Sequence, residues 1–135
     1  PYTKQIAEIF KDNLNVLEEV INILFYIAEA DGHVSKEEEA MIANIAFIFG
    51  LSQKQYESIK ESRKSSDKLN PYIVLESQPT DDLKSIRKKY IKLSKEHHPD
   101  LLISKGVPNE VINESKNKMR AINAAWDQIQ KFKSS

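Results

Sequence analysis

"PTDDLKSIRKKYIKLSKEHH", residues 79–98, decides the fold. At 100° per residue, Leu83, Ile86, Tyr90, Leu93 and His97 fall within about 80° of one another, the width of stripe that a helix turns toward a core. Lys84, Lys88, Lys92 and Lys95 gather on another face. Thr80 is placed to cap this helix, and Asp81 and Asp82 suit the positive end of its dipole. One side is therefore buried and another strongly basic. After Pro99 the pattern stops, passes through Gly106-Val107-Pro108, and resumes with Val111 or Ile112, Ser115, Met119, Ile122, Trp126 and Ile129. That spacing predicts a second long helix, antiparallel to the first, with Pro108 in its first turn. Residues 98–107 become an exposed connection at the tip.

The same period extends toward the N-terminus. Leu14, Leu17, Val20, Ile21, Leu24 and Ile27 trace one helical stripe, and Met41, Ile42, Ile45 and Ile48 another. Ser35 with Glu38, and Ser52 with Gln55, have the spacing of capping boxes. Gly32 and Gly50 stand just before them, where a left-handed residue ends a helix. The β-branched residues keep helical rather than alternating spacing, so the chain is all-α. "SRKSSDKLNP", residues 62–71, is polar and ends in Asn-Pro, which disfavours a continuing helix. The boundary is placed at residue 66, giving domains 1–66 and 67–135.

Composition narrows the function. The 135 residues include no cysteine, which excludes disulfide scaffolds, thiol nucleophiles and thiolate metal sites. No apolar run approaches the ~20 residues needed to cross a bilayer. A soluble, cytoplasmic chain is expected, and a start at Pro1 suggests a piece of a longer protein. The net charge of zero conceals an asymmetry of −4 over residues 1–66 and +4 over 67–135, so the two halves are expected to meet different partners.

Two stretches could carry chemistry. Asp31-Gly32-His33-Val34 followed by Glu38 imitates the end of a calcium loop, but the register puts Ile27 at the first ligand position. A helix–turn–helix corner is the expected reading; Asp31 and His33 remain only weak cation candidates, and no metal or cofactor is expected. In His97-His98-Pro99-Asp100, His97 lies on the apolar stripe and is expected in the core. Its neighbour His98 cannot share that helix face, so the pair makes a poor chelate. Pro99 fixes its own φ and pushes His98 toward extended geometry, presenting His98 and Asp100 stiffly at a helix end. That suits a protein contact better than catalysis, and no enzyme activity is expected.

Residues 28–56, "AEADGHVSKEEEAMIANIAFIFGLSQKQY", resemble the TerB family, all-helical modules associated with protein contacts and, in some members, metal ions, roles the resemblance assigns to no particular side chain here. Residues 70–131, with "YIKLSKEHHPDLL" (90–102) at their centre, resemble a J domain, the module of DnaJ-type co-chaperones. The order of the two resembles the DjlA-type, membrane-anchored DnaJ-like co-chaperones of Gram-negative bacteria. The resemblance implies a TerB-like bundle followed by a four-helix J domain: a short helix near 71–75, the antiparallel pair, and a brief last piece. It also implies a DnaK-type chaperone ATPase as partner, whose hydrolysis is stimulated by His98, Pro99 and Asp100, with Lys84, Arg87, Lys88, Lys92 and Lys95 as the electrostatic surface. The N-terminal module would meet a protein of its own. A membrane is expected only through an anchor that this chain lacks, the rest facing the cytoplasm. His97 and Leu101 stand where many J domains carry tyrosine and lysine. The competing reading puts the basic helix on nucleic acid or an anionic membrane. The near absence of interleaved aromatics speaks against nucleic acid, and none is expected.

Overall fold

Asp82, not Thr80, starts the decisive helix. Asp81 closes a turn with Gln78, accepting its backbone N–H at 2.9 Å, and Asp82 then receives the N–H of Ser85 at 2.8 Å. The computed structural model describes residues 13–134, apart from the side chains of Asp31 and Ser134. Among these residues all regular structure is helical: α1 (Leu14–Ala28), a 3₁₀ turn (Glu29–Asp31), α2 (Lys36–Ile48), α3 (Gln53–Ser62), α4 (Pro71–Val74), α5 (Leu83–Glu96), α6 (Pro99–Ser104) and α7 (Asn109–Ser134).

Local signals account for most of these ends. Ser35 and Ser52 each accept the N–H three residues on, while Glu38 and Gln55 bond back to the cap residue. Two orphan donors are satisfied at each start, an arrangement in which loss of the serine typically costs about 1 kcal/mol. Gly32 and Gly50 both take φ of 112°, open to glycine and strained for other residues.

Helices α1, α2 and α3 enclose one apolar core around Leu17, Ile21, Phe25, Ile42, Ala46, Leu51, Tyr56 and Ile59. Four residues of the expected stripes face outward instead: Ile27, Met41, Ile48 and Leu83 are 62%, 59%, 54% and 38% exposed. A second core joins α4, α5 and α7 through Val74, Leu75, Ile86, Leu93, Ile122, Trp126 and Ile129. The pair α5 and α7 is antiparallel. Lys133 donates to the carbonyl of Pro79, before α5 begins, whereas Tyr90 stacks on Trp126 and donates to Asn123.

The expected connection differs in two ways. Pro99 initiates α6, a short helix pinned by the fully buried Leu102, so residues 98–107 are not an irregular tip. Pro108 sits just before α7 rather than within it, its carbonyl accepting from Val111 and Ile112. Helix α7 then runs unbroken for 26 residues, absorbing the brief last piece expected beyond the antiparallel pair.

Candidate functional site

The His-Pro-Asp segment is an exposed spur on a rigid base. His98 is extended, with φ −64° and ψ 130°, as a residue before proline should be. Its Nδ1 accepts the backbone N–H of Asp100 at 3.1 Å, which caps α6 and fixes the imidazole. The two side chains remain open, at 56% and 85% exposure, with Asp100 Oδ2 3.7 Å from His98 Nδ1. Three residues earlier begins the basic face of α5, where Lys84, Arg87, Lys88, Lys92 and Lys95 are all exposed. Lys92 makes only a long contact of 4.0 Å with Glu96, so the face keeps its positive charge.

The inner side of the spur rests on the N-terminal module. His97 is buried as expected, but among carboxylates instead of apolar groups. Its Nδ1 is 2.9 Å from Glu19 Oε1 and its Nε2 3.3 Å from Glu18 Oε2. Burial alone would lower its pKa; the facing Glu18 and the bonds to Glu18 and Glu19 outweigh that and raise it to about 9. Asn15 donates to the carbonyl of Glu96 at 3.0 Å, and Lys105 reaches Asn13 and Asn15 at 2.8 and 3.1 Å. The first two turns of α1 thus hold both flanks of the spur.

A polar seam continues this contact along α7. Lys118 is fully buried and donates to Ser58 at 2.6 Å and Ser62 at 3.0 Å. Burial lowers its pKa, while Glu18 and Glu19 favour its charge. Arg63 forks onto Glu29 at 2.9 and 3.0 Å and also reaches the carbonyl of Asn22 and Glu114.

The Asp31 corner is built as a helix junction. Glu38 is engaged by Ser35, whose backbone and hydroxyl hold its carboxyl below the usual range. His33 is exposed, and the Asp31 side chain lies outside the described residues. The residues that pattern reading passed over are Glu18, Glu19, Asn22 and Lys118. Each is polar and buried; Glu18, Glu19 and Lys118 bond across to the other module while Asn22 holds Glu19 and Arg63, and only the unusual His97 on an apolar stripe hinted that charge was buried there.

Residues 1–61 match the family described as tellurite resistance protein TerB, and residues 70–134 match the DnaJ domain. The chain is a DjlA-type pairing of a TerB-like module with a J domain. Three relatives bear the printed name co-chaperone protein DjlA. The one from Vibrio parahaemolyticus is 34% identical over 83% of this chain and 43% of its own length. The one from Escherichia coli K12 is 26% identical over 96% of this chain and 56% of its own. The one from Vibrio vulnificus YJ016 is 33% identical over 96% of this chain and 50% of its own. The chain therefore spans about half the length of the curated relatives it matches. No solved structure gives a significant match. Among the described residues no helix is long and apolar enough to cross a membrane.

Proposed function

We propose that this chain is the J-domain part of a co-chaperone that binds a DnaK-type ATPase and stimulates its ATP hydrolysis, without performing chemistry itself. Its division into a TerB-like domain, 1–66, and a J domain, 67–135, belongs to the same reading. So does a full-length protein held at the inner membrane by a separate anchor, with this part in the cytoplasm. The observation that carries the reading is the spur: His98 and Asp100 exposed, extended and pre-ordered beside a face of unneutralised cations. Because the spur is ordered before contact, little conformational entropy is lost on docking. Asp100 can accept a forked bond from a partner arginine. His98 and Pro99 add a stiff shape that favours one conformer of the ATPase, and binding that conformer more tightly shifts its population. The contact is small, so the complex is transient.

The test is ATP turnover by a DnaK-type chaperone with and without this chain. His98→Gln should keep the helices and lower the melting temperature only slightly, because the His98 side chain is largely exposed and its one bond caps the short α6. Stimulation should fall to near the basal rate. Undiminished stimulation by the variant would defeat the proposal.

A further inference from the structure

The imidazole of His97 is oriented as metal-binding histidines are. Glu19 holds Nδ1 at 2.9 Å, and Asn22 in turn donates to Glu19 Oε2 at 3.4 Å. A carboxylate on one ring nitrogen fixes ring orientation and leaves the other nitrogen as the ligand atom. That other atom, Nε2, is buried with only the Glu18 Oε2 carboxylate oxygen facing it at 3.3 Å, and Glu18 Oε1 is buried with no hydrogen-bond partner. His97 and Glu18 are 0% and 2% exposed, where an unpartnered polar atom is costly. Glu96, the residue before His97, adds a third donor. Ligand atoms of Glu18, Glu96 and His97 all lie within 4.8 Å of one another.

We propose that Glu18, Glu96 and His97 form a binding site for a zinc-class divalent cation at the junction of the two modules. One imidazole nitrogen and two carboxylates suit zinc, which binds such donors at about 2.0–2.2 Å. A tetrahedron of that size has edges of roughly 3.3–3.6 Å, and Glu18 Oε2 is 3.3 Å from His97 Nε2. Calcium would need six to eight oxygens, which three side chains do not supply. Glu96 is only partly buried, so it provides the route of entry, and water completes the fourth position. Binding exchanges the Nε2 proton for the metal. The ligands come from α1 on one side and the end of α5 on the other, so the ion pins the modules together directly beneath the spur.

The experiment uses the whole chain, stripped of metal, titrated with zinc chloride against a chromogenic chelator. One ion should bind per chain and raise the melting temperature. Cobalt(II) substituted for zinc should give the intense visible bands of a four-coordinate site. Glu96→Gln, at a partly exposed position that tolerates the change, and Glu18→Gln should each weaken binding by about tenfold or more. His33→Ala and His98→Ala, which remove the two other histidines, should leave affinity unchanged. Absence of stoichiometric binding, binding indifferent to Glu96→Gln, or binding lost with His33 or His98 overturns the site. Should Glu18→Gln fail to fold, Glu96→Gln alone decides.

Discussion

Lys118 shows how a single residue can depend on another module. Its amine is completely buried, donating to Ser58 and Ser62; burial lowers its pKa, and Glu18 and Glu19 offset only part of that. A buried charge without compensation is far more costly than one with it, and removing one member of such a set typically costs 3–5 kcal/mol. Lys118→Met keeps the volume and deletes the amine, leaving His97 as the one cation against Glu18 and Glu19 and the Ser58 and Ser62 hydroxyls without their donor. It should destabilise the chain by about 3 kcal/mol, measured by urea unfolding. Glu19→Gln added to it should restore part of the loss, whereas strictly additive changes would mean the two groups do not interact. Periodicity could not reveal this position. Lys118 lies between the predicted core residues Ser115 and Met119 of α7, and a lysine in a helix pattern is ordinarily assigned to solvent. What buries it is α3, 56 to 60 residues away along the chain.

The helices themselves were legible because their signals are local. Both serine capping boxes and, apart from the exposed Leu83, the stripe of α5 stand at their expected places, and His98 is extended because Pro99 follows it. The errors arose where neighbouring residues competed for one role. Thr80, Asp81 and Asp82 can all cap, and the turn closed by Asp81 leaves the role to Asp82. Pro99 both ends one helix and opens another, and its second role shows only once Leu102 finds a core. The cap has a measurable consequence for the basic helix. The bonds from Ser85 hold the Asp82 carboxyl below its ordinary pKa. Its contribution is present above the unfolded-state pKa and disappears as pH falls below about 4, where the carboxylate takes up a proton. Asp82→Ala should therefore lower helix content and melting temperature at pH 7. At pH 2 the variant and the parent should converge. An equal difference at both pH values would show that charge plays no part in the cap.

Across the whole molecule, α7 connects two cores of different character. One is enclosed by α1, α2 and α3 and the other by α4, α5 and α7, and a polar seam rather than a third apolar cluster joins them. The charge asymmetry of −4 and +4 between the halves was readable from composition, but its placement was not. Some of the acidic excess, Glu18 and Glu19, is consumed inside the seam, whereas the cations of α5 remain in solvent. The outward field near the spur is therefore positive, and it should act mainly on the rate of encounter with an acidic partner surface. Exposed charges are screened beyond about 10 Å at 0.1 M salt, so the effect must shrink as salt rises. Lys88→Glu combined with Lys92→Glu, both at exposed positions, should slow association with the DnaK-type chaperone by about tenfold at low ionic strength. At 0.5 M salt the parent and variant rates should nearly coincide, and dissociation should change little at either. Stopped-flow or surface-resonance kinetics at two salt concentrations separates these outcomes. A loss of equal size at both would mean that the lysines make close contacts with the partner, and steering by the basic face would have to be abandoned.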